Sequence, residues 1–173
     1  LKEEMGIDKI RTREEELVKI AFAGLKKIPT LHILAGNIEH RLGAISFYIE
    51  NIHYNLIVKI LNDRFGVQVR GGCSCAGTYG HYLLHVDPNR SKIITDKIDQ
   101  GDLSEKPGWV RMSIHPTMTD QELNTALNGI AQIVENIDEW SKDYVYDKSK
   151  NEFFHKNSDG SDLEKIKSWF AIS

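Results

Sequence analysis

Residues 43–50 impose the first constraint on the fold. Ile45, Phe47 and Ile49 alternate with Ala44, Ser46, Tyr48 and Glu50, and a period of two puts successive side chains on opposite faces of a strand. A strand with one apolar and one mixed face needs a covering layer on one side only. The flanking segments supply that layer at helical spacing. Residues 8–27 carry Ile10, Leu17, Val18, Ala21 and Leu25, and residues 53–65 carry Ile57, Val58, Leu61 and Phe65. Residues 119–137 carry Leu123, Ala126, Leu127, Ile130, Val134 and Ile137. Pro29 ends the first of these helices, Gly66 is placed to end the second in a left-handed conformation, and Thr119-x-x-Glu122 opens the third as a capping box. With shorter strands at 30–34, 67–70 and 109–115, the expected fold is α+β. It is a two-layer sandwich, a small, mainly antiparallel sheet with helices on one face.

The phase of the short strands adds a chemical expectation. Val67 and Val69 share one face while Gln68 and Arg70 share the other; Val110, Met112 and Ile114 oppose Trp109, Arg111, Ser113 and His115. If helices cover the apolar side, the Arg70 and Arg111 guanidiniums both project from the uncovered side. Two such groups suit an anionic ligand such as a carboxylate, which a guanidinium holds bidentately.

Between those strands lies Gly66-Val-Gln-Val-Arg-Gly-Gly-Cys-Ser-Cys-Ala-Gly-Thr-Tyr-Gly-His-Tyr-Leu-Leu-His85, which holds both cysteines of the protein. A thiol flanked by arginine, histidine and a glycine-rich loop is in a setting that favours thiolate, the reactive form. On spacing alone Cys75 is equally a buried structural thiol. Cys73-x-Cys75 with His81-x3-His85 also has the residue types of a metal site, although ligands one residue apart are crowded. Helices are expected over 78–86 and, opened by Asp87-Pro88, to about residue 100, with a polar loop over 101–108.

These residues carry a resemblance. Arg70-x4-Cys75-Ala76 and Gly108-Trp-Val-Arg111-Met-Ser, with Arg41-Leu-Gly-Ala-Ile-Ser-Phe and His53-Tyr-Asn-Leu before them, resemble the C-terminal small domain of class V, fold-type I pyridoxal-phosphate enzymes. That group includes cysteine desulfurases and selenocysteine lyases. The match runs from about Ile7 to Ile137. The resemblance implies that Cys75 is the persulfide-forming, sulfur-accepting cysteine and that Arg111 holds the substrate carboxylate; Arg70, on the same face by phase, is a further substrate contact or a loop salt-bridge residue. It implies pyridoxal phosphate (PLP) as cofactor, held by a large domain of the same polypeptide that carries the Schiff-base lysine; this chain by itself is then inactive. Partners are that large domain, a cysteine- or selenocysteine-like substrate and a sulfur-acceptor protein. A class V aminotransferase without a persulfide step is the alternative enzyme, and a stand-alone zinc- or partner-binding module the alternative of another kind.

The remaining features bound the reading. At 173 residues and a formal net charge of −3, the chain is one family domain over 1–138 with an extension over 139–173. In that extension Ser161-x-x-Glu164 caps a short amphipathic helix with Leu163, Ile166, Trp169 and Phe170. Charges of both signs without a basic block argue against nucleic acid, and no apolar run nears the roughly 20 residues that cross a bilayer. Two cysteines are no disulfide framework, so a cytoplasmic location is expected. The chain opens on Leu1 rather than methionine, as a piece of a longer protein would. The segment over 87–108 and the extension are departures from compact desulfurases.

Overall fold

The computed structural model describes residues 2–73, 77–158 and 169. A single turn, α1 (Lys2–Met5), leads into α2 (Ile7–Leu25), followed by the hairpin strands β1 (Leu31–Ile33) and β2 (Ala44–Ile49). Then come α3 (Tyr54–Phe65), β3 (Arg70–Gly72), the short α4 (Gly77–Leu83), α5 (Pro88–Asp99), β4 (Trp109–Ser113) and α6 (Asp120–Trp140). A 3-10 turn at Ser141–Asp143 joins α6 to a second hairpin, β5 (Tyr144–Asp147) and β6 (Glu152–His155). The main sheet has the order β1-β2-β4-β3 and is antiparallel throughout; β5 and β6 form a separate two-stranded sheet.

The core follows the predicted stripes. Ile45, Phe47, Ile49, Val110, Met112 and Ile114 meet Leu17, Val18, Ala21, Phe22, Leu25, Ile57, Ile60, Leu61, Leu123, Ile130 and Ile133 in one buried cluster. Local signals set the helix ends. His53 caps α3 by accepting the Asn55 N–H. Gly66 closes α3 at φ 65°, with its N–H and that of Val67 returned to Asn62 and Leu61 carbonyls. The Asp87 carboxylate caps α5 ahead of Pro88, and Thr119 and Glu122 form the reciprocal box that opens α6.

Three details differ from the sequence reading. The third strand is Arg70–Gly72 rather than 67–70, because Val67 is still engaged in closing α3 and pairing with β4 starts only at Arg70. The face opposite the main helices is not bare along its whole length. Trp109, on the Arg111 side of β4, is 5% exposed, and a Cβ at Gly80 of α4 would stand 3.1 Å from its ring. The segment between β3 and β4 therefore folds over that end of the sheet. Thirdly, residues 144–155 form strands, and Tyr144 enters the main core. The Ser161-x-x-Glu164 box lies outside the described residues. Among the described residues no helix is long and apolar enough to cross a membrane.

Candidate functional site

The pleat and register of the sheet assemble a polar row on the face away from the core. Ser46 of β2 pairs with Arg111 of β4, and Arg111 pairs with Arg70 of β3. Directly opposed residues of antiparallel strands project to the same side. Tyr48 and Ser113 share that side by parity, and His32 stacks on Tyr48 at 4.9 Å. Arg70 is exposed and Arg111 half-buried. Arg70 and Arg111 thus stand opposite each other on one face of the sheet.

Their lack of partners sets these two arginines apart. Arg11 is bonded to Glu15, Arg13 to Asp120 and the Met118 carbonyl, and Arg64 to Asp143. Arg41 donates to the Ile38 and Leu34 carbonyls, and Arg90 lies 3.8 Å from Glu105. Among the described residues neither the Arg70 nor the Arg111 side chain has a hydrogen bond or ion pair, and the Arg111 Nε is buried without an acceptor. Like charges directly opposed across strands destabilise a sheet, and an orphaned buried donor does so further. An anion seated between them would relieve both.

Past Gly72, which turns the chain at φ 111°, Cys73 is half-buried and its Sγ donates to the Pro107 carbonyl at 2.6 Å. Burial pushes its thiol up from its ordinary value, against a smaller opposing effect of the Lys106 charge. Cys73 is thus held as a thiol that ties the cysteine loop to the entry of β4. Cys75 lies outside the described residues, so the distance from its sulfur to Arg111 is not part of the geometry.

His81 and His85 do not share a helix face. α4 ends at Leu83, and His85 lies beyond it with a left-handed backbone, φ 52°; the helical i, i+4 relation to His81 is lost. His81 Nδ1 is instead 2.6 Å from Ser91 Oγ, bridging α4 to α5. Among the described residues no three His, Cys, Asp or Glu side chains are placed to hold a metal ion.

Sequence reasoning missed a buried polar junction beneath this end of the sheet. Asn151, 9% exposed and at φ 57°, donates through Nδ2 to the Tyr54 hydroxyl at 2.6 Å and accepts from the Tyr146 hydroxyl at 2.9 Å. Asn55 donates to its backbone carbonyl. The Tyr54 ring fills the space against Gly108, where a Cβ would collide with it. The available signal was Tyr144-Val-Tyr and Phe153-Phe on either side of a polar turn ending in Asn151.

Residues 1–125 match the family model for aminotransferase class-V. The chain belongs to the class-V aminotransferase family. Among curated members, a probable cysteine desulfurase of Pyrococcus abyssi is 32% identical over 135 residues, which is 78% of this chain and 28% of that relative. A cysteine desulfurase of Dickeya dadantii is 36% identical over 72 residues, 42% of this chain and 17% of that protein. The fold is also that of a solved structure, the apo cysteine desulfurase of Thermococcus onnurineus, with a TM-score of 0.54 at 23% identity over 78% of this chain and 28% of that one. The chain thus spans under a third of the length of these family members. The class-V family is one of PLP enzymes, and the α+β fold expected from the sequence is consistent with that of the solved cysteine desulfurase.

Proposed function

We propose that this chain supplies the substrate-carboxylate grip and the sulfur-accepting thiol of a PLP-dependent enzyme of the cysteine desulfurase and selenocysteine lyase type. The observation that carries the reading is the Arg70–Arg111 register pair, unpaired among the described residues and with a buried Nε that lacks an acceptor. Its donor set fits the carboxylate of an amino acid. Arg111, half-buried and rooted in the central strand β4, fixes that carboxylate; Arg70 at the sheet edge adds a second contact. The names of the matched relatives support sulfur chemistry over transamination.

In this reading PLP, held by the rest of the polypeptide, supplies the electron sink. Cys75 attacks the substrate sulfur as thiolate. A sulfur–sulfur bond forms on Cys75, the bond from the substrate's Cβ to sulfur breaks, and the carbon fragment takes up a proton and leaves as alanine. The sulfur then passes to an acceptor protein. Residues 1–138 are the family domain and 139–173 an addition to it, and a reducing cytoplasm suits a protein that works through free thiols. By itself the chain is inactive, because the Schiff-base lysine of the family lies in the large domain.

The test uses the full-length polypeptide. Cys75→Ala is expected to abolish sulfur release from cysteine while leaving the substrate-induced change in PLP absorbance intact. Arg111→Ala is expected to raise KM by roughly a hundredfold, the range of a lost charge-assisted pair. Sulfur release unaffected by Cys75→Ala would overturn the desulfurase reading in favour of a class V aminotransferase. Stoichiometric zinc that is lost on Cys73→Ala would favour the binding module instead.

A further inference from the structure

A groove of about 650 Å³ runs between α3 and the second hairpin, outside the arginine row. Its composition and its walls both point to a ligand. Lys59, Lys106 and Lys150 line it against a single carboxylate, Glu152, on a chain whose overall charge is negative. Lys59 is paired with Asp63 at 3.1 Å and Lys150 approaches Asp147 at 3.8 Å. Lys106 has no ion pair among the described residues.

One wall is made by consecutive residues, 150–154. Lys150 and Asn151 belong to the turn and Glu152, Phe153 and Phe154 to β6; neighbours in a strand point to opposite faces, so three in a row line a groove only if the strand turns its edge to it. β6 pairs with β5 alone, and the bond from the Lys156 N–H to the Asp143 carbonyl sets the alternation, so the backbone groups of Phe153 and His155 point away from β5 and have no strand partner. Opposite it, Gln68 and Val69 lead into β3, the edge strand of the main sheet, without a ladder partner of their own. Val58, Leu103 and Phe153 supply apolar lining between the two edges. An open edge of this kind is a template for another strand.

We propose that this groove seats an extended, acidic segment of a partner protein, added as a strand along the edge of β6 with its carboxylates on Lys106 and Lys150. Backbone pairing provides the affinity, and the lysines select charge. The three strand residues of the wall, Glu152 to Phe154, correspond to about 10 Å of extended chain at roughly 3.3 Å per residue. The proposal rests on the groove alone and does not depend on the role assigned to Cys75.

The test again uses the full-length polypeptide. The probes are two fluorescent peptides of about eight residues, one alternating Glu and Val, the other alternating Lys and Val. The acidic peptide is expected to bind, with an affinity that falls as salt rises, and to slow amide exchange at Phe153, whose N–H points away from β5. The double reversal Lys106→Glu with Lys150→Glu should weaken it at least roughly tenfold, with the circular dichroism spectrum unchanged. Equal binding of the two peptides would overturn the proposal. So would binding that leaves the exchange of Phe153 unaltered, or protection of that amide in the absence of peptide, which would place the protein's own polypeptide or a second copy in the groove.

Discussion

At the scale of single residues, burial separates side chains that hold the fold from those left open for chemistry. His53 belongs to the first group. Its Nδ1 caps α3, its ring stacks on Tyr54 at 4.5 Å and lies 5.1 Å and 5.3 Å from Tyr146 and Phe153, and its Nε2 is buried without a partner. Desolvation pushes its pKa below the ordinary histidine value. The folded state therefore holds the neutral ring while the unfolded chain takes up the proton first. The contribution to stability is complete above the unfolded value, about 6.5, and is lost as pH falls through the lowered folded value. The urea midpoint should decline over that window, and His53→Asn, which retains a capping side chain but does not titrate, should flatten the decline. An identical pH profile in the variant would show that the aromatic surroundings tolerate the charged ring. Arg111 is the counter-example, a buried donor left unsatisfied at the position where a ligand is expected.

Among the elements, the second hairpin shows how one buried amide fastens a separate two-stranded sheet to the start of α3. Asn151 joins Tyr54 at the start of α3 to Tyr146 of β5, from a left-handed backbone. Two variants separate these contributions. Asn151→Gly removes the side-chain bonds and orphans the buried Tyr54 hydroxyl, a loss of about 1–3 kcal/mol, while the Tyr146 hydroxyl keeps the Leu103 carbonyl. Asn151→Ala removes the same bonds and adds a Cβ in a left-handed conformation, worth roughly 1–2 kcal/mol more. Alanine should therefore be the more damaging change in denaturant unfolding; equal losses would mean that the turn relaxes to a right-handed backbone.

The same hairpin marks how far the sequence was legible. Helix faces, caps and β2 were readable because periodicity and capping residues act within a few positions of the chain. Arg70 and Arg111 could be assigned to one face from strand phase alone. Their direct opposition required the β3–β4 register, and β3 itself begins later than its valines suggest because Val67 is bound to the end of α3. The partnerships of Asn151 with Tyr54 and of Gly80 with Trp109 join positions far apart in sequence. No local pattern carries such information.

Across the whole molecule, the hairpin, the segment between β3 and β4, and α3 close around one end of the sheet. The Leu103 N–H bonds to the Lys148 carbonyl at 3.0 Å, and the Tyr146 hydroxyl reaches the Leu103 carbonyl at 3.2 Å. Asn151 holds Tyr54, whose ring fills the space beside Gly108, just before the strand that carries Arg111. Tyr144 is anchored in the main core, and its hydroxyl is pushed up to about 12 by burial. Ending the polypeptide after Asp143 would remove all of these ties while leaving α6 and the rest of the main sheet in sequence. Local opening free energies follow the contacts that a segment makes. Amide exchange should accordingly quicken at the first turn of α3 and across residues 109–111, and much less in β2. If the arginine row grips a carboxylate, KM should rise along with that exchange, since a looser β4 holds Arg111 less well in register with Arg70 and Ser46. Unchanged exchange at 109–111 after truncation would show that the hairpin rests on the site's scaffold without supporting it.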